Sequence, residues 1–455
     1  MNPNILILVL DCARADHFSC YGYERPTTPF IDGLAARGTR FTNMVSSAPW
    51  TLPSHASLFT GMYSAFHGAT DESRKLAPGA TTIAELLSGH GYQTAAFCAN
   101  PWVSPETGFD RGIDHFFTNR PRHPGARYRR ILQKAWDVAM RRRDSGSFHT
   151  NRAAGRWLGS LDSARPFFAF VHYNETHLKF HPPAHYRRMF TAATDSRIRR
   201  LNQDCNAYIA GTVAMTDDDF QLLTALYDGE LRFADSRFEQ LAALIEGVGR
   251  LEDTIFVVLA DHGENLGDHG MMSHKFSLYE TLLRVPLVMA GPGVPAGQVS
   301  EGLVQNVDVF STLASLVGLP ESDYSNVHGR AAIVAGHLQD GRDYVFSERY
   351  RPNLSVFKKR YPDFDTSLID VRKRSVCDGR EKLIWHSDGH HEFYDLVDDP
   401  AEARNLAAQR RQDVSRLEGI LSRWVEDVKG QPGGGKNPSF DDVARRQLEG
   451  LGYID

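Results

Sequence analysis

No apolar run in this chain is long enough to cross a bilayer. The longest near the start, ILILVL at residues 5–10, falls far short of the roughly 20 residues a membrane helix needs. A basic flank and a small-residue cleavage site are missing around it, so a buried strand is expected there instead of a signal peptide. A basic excess is missing too. The 51 Lys and Arg against 56 Asp and Glu leave a formal charge of -5, which excludes the broad positive footprint of a nucleic-acid binder. Cysteine is scarce: Cys12, Cys20, Cys98, Cys205 and Cys377 are scattered, odd in number and without CxxC spacing. That argues against a disulfide framework or zinc knuckle and for reduced thiols in a cytoplasmic protein. Internal repeats are absent, and nothing in the sequence sets an oligomeric state.

What is present suits a large α/β protein. With 455 residues, 42% of them hydrophobic, the chain can bury one large core and support a smaller appendage. Three apolar runs end abruptly in chemically capable residues: NILILVLD in Asp11, RPFFAFVHYNETH in His177, and DTIFVVLADHGE in Asp261 and His262. Near-continuous apolar runs mean strands covered on both faces, hence a large, mostly parallel or mixed sheet flanked by helices. TPFIDGLAARG, TTIAELLSGHG and LYDGELRFADSRFEQLAALIEGVG have helical spacing and glycine stops. After about residue 340 the texture changes. LIDVRKRSVCDGREKLIWHSDGHHEFYDL alternates as short antiparallel strands with a turn at SDGH, and DVSRLEGILSRWVEDV gives an amphipathic helix. GQPGGGKNPS reads as a flexible linker, followed by a tail. The expected division is a catalytic domain over 1–340 and a C-terminal subdomain over 341–455.

In open parallel sheets ligands gather beyond the carboxyl ends of strands, and Asp11, His177, Asp261 and His262 all fall there. Asp11, Asp261 and His262 make a mixed oxygen and nitrogen set suited to a divalent cation such as zinc, manganese or magnesium. DHGENLGDHGMMSHK adds His269, His274 and Lys275 on one glycine-rich loop. In APWTLPSHASLFTG, Thr51 has two readings. It is a nucleophile that a cation could activate, or an N-cap with Pro53 in the first helical turn. Both can hold together, because a helix N-terminus also presents N–H groups and a favourable dipole to an anion. The basic stretch at residues 120–143 is either a solvated helix face or an attractor of anionic substrates or lipid headgroups.

These residues resemble a known family. NILILVLDCARADHFSCYGYERPTTPFIDGLAARGTRFTN and TLPSHASLFTGMYSAFHG are similar to the N-terminal signature of the sulfatase family within the alkaline phosphatase superfamily. HLKFHPP, the TIFVVLADHGENLGDHG and SHKFSLYETLLRVPLVMAGPG stretches, EFYDLVDDPAEARNLA and LEGLGYID resemble its later motifs, in the expected order. The resemblance implies a large α/β domain with a smaller C-terminal α/β subdomain. It also implies a divalent cation on Asp11, Asp261 and His262, with Thr51 as both nucleophile and ligand. His177 and Lys275 fall on positions that bind the transferred anion or protonate the leaving group. His274 has the spacing of a histidine that, in threonine-type relatives, touches substrate or a second metal.

The departures carry as much information. Formylglycine-type sulfatases have Cys or Ser followed by x-Pro-Ser-Arg; this chain has Thr51 to His55 as TLPSH. Oxidation of threonine would give a ketone, and His55 replaces the supporting arginine. The usual second aspartate after the first strand is Cys12, a poor calcium ligand. The expected Lys-x-His pair is missing, with Asn100 near its place, so His55 and Asn100 are candidate substrate-binding residues. Elimination of sulfate from a formylglycine hydrate is therefore closed, and a threonine ester must be hydrolysed by a second in-line attack.

The sequence thus points to a metal-dependent hydrolase of a phosphomonoester or phosphodiester acting through a covalent Thr51 intermediate. His177, His274 and Lys275 stabilise charge or protonate the leaving oxygen, and the cofactor is one or two divalent ions among zinc, manganese, magnesium and calcium. The expected partner is an anionic small-molecule, sugar or lipid ester. The alternatives are a sulfuric ester hydrolase using Thr51 directly, a phosphoethanolamine-type transferase, or a catalytically dead binding module.

Overall fold

The computed structural model describes residues 2–119, 144–428 and 438–450. The basic stretch at 120–143 and most of the glycine-rich linker lie outside the described residues. The strands of the main sheet are β1 (Asn4–Leu10), β2 (Thr39–Val45), β3 (Gln93–Cys98), β4 (His115–Thr118), β5 (Phe167–Tyr173), β6 (Thr254–Leu259), β7 (Leu287–Ala290) and β8 (Gln298–Gln305). They lie in the order β8-β2-β7-β6-β1-β5-β3-β4. Only β7 runs against its neighbours, pairing antiparallel with β2 and β6; the other pairs are parallel.

Every residue of β1, β5 and β6 is buried, which is why these three segments read as unbroken apolar runs. Parallel strands need crossovers, and helices supply them. One group, α1 (Pro29–Arg37), α4 (Ser147–Leu158) and α5 (Asp217–Gly247), packs together. A second group unites α2 (Thr51–Thr60), α3 (Ile83–Gly89) and α6 (Asn306–Leu316). The expected helices and their glycine or near-glycine ends are present. The mixed sheet flanked by helices is the α/β architecture read from the sequence.

The C-terminal strands β9 (Val345–Arg349), β10 (Lys373–Cys377), β11 (Glu381–His386) and β12 (Glu392–Asp395) form an antiparallel sheet in chain order. The amphipathic helix α7 (Arg411–Asp427) covers it through Leu417, Leu421 and Trp424, which pack with Val376, Leu383 and Phe393. This small sheet is fastened to the large one at the catalytic end. Glu348 N–H donates to the Ser47 carbonyl at 2.9 Å, the Ser347 hydroxyl to Ser46 at 2.6 Å, and Trp424 meets Tyr63 edge-on at 5.0 Å. The short helix α8 (Asp442–Gly450) returns to the main domain. Gln447 donates to the Ala99 carbonyl at 2.8 Å, and Phe440, just before α8, packs edge-on against Trp102 at 5.4 Å. All five cysteines are free. Among the described residues no helix is long and apolar enough to cross a membrane.

One buried acid holds the first helix group together. Asp235, on α5, accepts the backbone N–H groups of Phe30 and Ile31 at 3.1 and 2.9 Å, so it caps α1 from outside. Burial pushes its carboxyl up to about 7. Asp235→Ala should lower unfolding free energy by ~1–3 kcal/mol, since two buried donors lose their acceptor. The folded carboxyl holds its proton more tightly than the unfolded one. Its contribution is therefore full below the unfolded value near 3.8 and fades as pH rises through about 7. Urea unfolding of wild type and Asp235→Asn across that range measures it, and the Asn variant should lack the fade.

Candidate active site

The carboxyl ends of β1, β2, β3, β5 and β6 converge on one buried cluster. β1 delivers Asp11, whose N–H bonds to the Tyr173 carbonyl at the end of β5 (2.9 Å). β6 leads into Asp261 and His262. A turn after β2 leads to α2, and Thr51 is the first residue of that helix. The N-cap position belongs to Trp50, which makes no side-chain capping bond. The N-cap reading of Thr51 is thus corrected by one residue, and its hydroxyl lies 3.4 Å from His262 Nε2.

Asp261 divides its two oxygens between structure and chemistry. Oδ1 accepts the N–H groups of Cys12 at 3.1 Å and His262 at 2.9 Å. Oδ2 has no hydrogen-bond partner and lies 3.3 Å from His262 Nε2. That nitrogen is also 3.4 Å from Thr51 Oγ1 and 3.8 Å from Asp11 Oδ1. The His262 Nδ1–H donates to the Gly263 carbonyl at 2.9 Å, which fixes the ring and leaves Nε2 as the lone pair. Gly263 is required here by space, since a Cβ would stand 2.0 Å from the Thr281 carbonyl. The hydroxyls of Ser46 and Ser54 both donate to the Asp261 carbonyl, at 2.5 and 2.6 Å, and so tie the first turn of α2 to the β6 loop.

The electrostatics call for a cation. Burial, then the neighbouring Asp11, push the Asp261 carboxyl well above its usual range. Burial and His274 hold the His262 imidazole well below its ordinary value, so it is neutral. Burial raises Asp11, but the hydrogen bond and charge of His172 outweigh this and hold it low. Asp11 and His262 share one cluster of ligand-type atoms with Cys12, Asp261 shares another with His55 and His172, and His262 Nε2 lies between the two carboxylates, at 3.8 and 3.3 Å, so these donors would suit a divalent ion. The nitrogen favours zinc or manganese over calcium, which takes six to eight oxygens.

The remaining candidates divide between two sides of Asp11. Asn100, at the end of β3, donates from Nδ2 to Asp11 Oδ2 at 2.8 Å and orients that carboxylate. His55 lies within α2, fully buried. Its Nδ1–H donates to the Thr51 carbonyl at 2.8 Å, and it stands 3.5 Å from Asp261 Oδ2. Both therefore touch the acidic residues or the nucleophile's backbone. On the other side, His177 and His274 meet edge-on at 5.2 Å, and His274 lies 4.4 Å from the His262 ring. Lys275 is half-buried on the wall of a small adjoining cleft, about 60 Å³ in volume, shared with Trp50, Asp71, Arg74, Trp102 and Phe276. His269 stacks on Tyr279 at 3.6 Å and joins none of the ligand-type clusters among the described residues.

Three residues escaped the sequence reading. His172, inside β5, sits 3.2 Å from Asp11 Oδ2 and clusters with His55 and Asp261. A histidine within an otherwise aromatic and aliphatic buried strand was the available signal. Glu264 is fully buried 3.5 Å from His274 Nδ1. Cys12, set aside as a poor calcium ligand, lies close to Asp11, His177, His262 and His274.

The chain belongs to the sulfatase family: that family's profile matches residues 3–319. A second profile, the C-terminal region of N-sulphoglucosamine sulphohydrolase, matches residues 267–427. Accordingly the protein is an ester hydrolase. Arylsulfatase K of Rattus norvegicus is 23% identical over 90% of this chain and 75% of its own length. An arylsulfatase of Clostridium perfringens is 23% identical over 94% and 95%. Among solved structures, the phosphonate monoester hydrolase of Agrobacterium radiobacter superposes with a TM-score of 0.72 at 21% identity, covering 94% of this chain and 96% of its own. A protein solved with its substrate D-glucosamine-2-N,6-O-disulfate has a TM-score of 0.74 at 20% identity, covering 96% of this chain and 100% of its own.

Asn100→Ala should weaken divalent-metal affinity by roughly 10–100-fold, the usual effect of removing a group that orients a ligand. Competition against a chelating dye measures this, and the fold should survive by circular dichroism.

Proposed function

We propose that the protein hydrolyses phosphate esters through a covalent intermediate on Thr51. The observation that carries this reading is the Thr51 hydroxyl itself: buried, at a helix N-terminus, and 3.4 Å from His262 Nε2 beside two carboxylates. A divalent cation held by Asp11, Asp261, His262 and Thr51 would lower the hydroxyl's pKa and draw charge from the attacked ester.

Thr51 Oγ attacks phosphorus in line with the leaving oxygen, which departs as the new Oγ–P bond forms. The α2 N-terminus faces the equatorial oxygens with its dipole. Lys275 and Arg74 give the adjoining cleft positive charge, and His177 and His274 lie on the side from which the leaving oxygen is served. Water then attacks the phosphothreonine and frees Thr51. Hydrolysis by this second attack suits a phosphoryl group, where positioning and charge stabilisation supply most of the catalysis. The cleft's two indoles, Trp50 and Trp102, support an ester whose leaving group carries a ring, such as a sugar.

Sulfuric ester hydrolysis by the same Thr51 attack is the second reading. It is favoured by the arylsulfatase relatives and by the neighbour holding a disulfated glucosamine. The phosphonate monoester hydrolase neighbour favours the first. The buried acids, imidazole and hydroxyl weigh against a dead binding module.

Thr51→Ala should cut kcat on the best substrate by at least ~100-fold, with metal content measured alongside. Matched aryl phosphate, phosphonate and sulfate esters then separate the readings. The phosphate-type esters should have the higher kcat/KM; a sulfate preference of several orders of magnitude would replace the first reading with the second.

A further inference from the structure

The small cleft beside Thr51 holds a carboxylate that the steps above leave unused. Asp71 lines it with Trp50, Arg74, Trp102 and Lys275, and its Oδ2 is buried and has no hydrogen-bond partner. We infer that Asp71 sets the enzyme's specificity, accepting a hydrogen bond from a hydroxyl on the sugar-like alcohol that departs from the ester. The assignment rests on the hydrolytic reading above and adds to it the chemistry of the leaving group.

The chain itself joins this cleft to the reacting atoms. Trp50 is the N-cap of α2, directly before Thr51, and Lys275 directly follows His274. Trp102, beyond the end of β3, stands edge-on to Trp50 with ring centroids 5.7 Å apart, and the Arg74 guanidinium lies 5.4 Å from the Trp102 ring. Phe357, from the segment after β9, helps complete the lining. At about 60 Å³ the cleft has room for about two water-sized groups. It therefore takes one hydroxyl-bearing edge of a ring between apolar indole walls, and the rest of the ring stays at the mouth.

The charges around Asp71 select a donor that is itself neutral. Burial pushes the carboxyl up to about 6, against the pull of Arg349, Arg74 and a hydrogen bond from the Trp50 indole. At neutral pH it is therefore mostly ionised and can only accept. A buried acceptor without a donor is costly, and the two arginines supply charge without bonding to Oδ2. Arg349 is fully buried and anchored elsewhere: its Nε donates to the Lys275 carbonyl, and its Nη1 donates to the Val371 carbonyl at 3.1 Å. The Arg74 Nε donates to the Asp71 backbone carbonyl at 3.4 Å, not to the carboxylate. An ammonium group entering the cleft would meet Arg74 and Lys275 on its walls, so the donor that fits is a hydroxyl.

A site that pairs a buried charged acceptor with a substrate hydroxyl rejects an analogue lacking that hydroxyl, because the analogue leaves the acceptor unpaired. Were Asp71 only a counter-charge for Arg349 and Arg74, its removal would disturb the cleft without bearing on hydroxyls. Discrimination between a hydroxylated and a hydroxyl-free leaving group therefore separates the two roles.

Glucose 6-phosphate and cyclohexylmethyl phosphate share a primary leaving oxygen on a six-membered ring and differ in the ring hydroxyls, so they test the proposal on the zinc-loaded full chain. Wild type should favour the glucose ester in kcat/KM. Asp71→Ala should shrink that preference by at least ~10-fold, mainly through KM, the size expected for a hydrogen bond to a charged group. Asp71→Asn keeps the shape and one acceptor oxygen; it should fall between the two and provides the measurement should Asp71→Ala not fold. The corresponding sulfates take the place of the phosphates where those are the esters turned over. Hydrolysis of neither kind would defeat the hydrolytic reading alone, and quenching of indole fluorescence by the same two phosphates then measures binding. Binding should still favour the glucose ester, with the preference shrinking in the Asp71 variants. A wild type that prefers the cyclohexylmethyl ester, or a glucose preference unchanged in every folded Asp71 variant, would overturn the proposal.

Discussion

Asp11 and Asp261 extend from the ends of paired strands, β1 and β6, and both are buried. Their mutual repulsion is the constraint around which the site is arranged. An ionised carboxylate buried without a partner costs several kcal/mol. The protein holds them unequally: Asp261 Oδ1 accepts two backbone N–H groups, while Asp11 Oδ2 accepts Asn100 and faces His172, and its Oδ1 accepts the Cys12 thiol. Asp261 Oδ2 and Asp11 Oδ1 both face His262 Nε2, at 3.3 and 3.8 Å. A divalent ion would convert the repulsion into a binding energy, with His262 beside Asp261 and Thr51 on α2 as the remaining donors.

Holding those segments in register is the task of uncharged hydrogen bonds. Ser46, Ser54 and Asn306 join the start of α2 to the β6 loop and to α6. Ser347 joins the same turn to the small C-terminal sheet. A displacement of the C-terminal sheet would thus be felt at Thr51 through Ser46, which gives the appendage a bearing on the site without contributing a donor to the Asp11 cluster.

Much of this was legible in the sequence because it follows from local rules. NILILVL and TIFVVL are apolar throughout since both strand faces are covered, and the residues that follow them lie at the carboxyl ends of the strands. The large, mostly parallel or mixed sheet and the antiparallel C-terminal sheet followed from those patterns and from the family resemblance. What the sequence hid depends on contacts between distant segments. His172 looked like one polar residue in a strand until β5 was placed beside β1 and its imidazole met Asp11. Cys12 was judged by its value to calcium, and only its left-handed backbone turns the thiol toward His274, 262 residues away. Thr51 was read one position off its helix role because the true N-cap, Trp50, has no capping side chain.

The central claim is that Thr51 carries the transferred group. Acid quenching during turnover of the metal-loaded enzyme, followed by peptide mapping by mass spectrometry, tests it directly. The account predicts a substrate-derived phosphoryl or sulfuryl group on the peptide containing Thr51, absent from wild type quenched without substrate and from Thr51→Ala quenched with it. An unmodified Thr51 together with inversion of configuration at phosphorus would contradict it, because direct attack by water would then replace the covalent step.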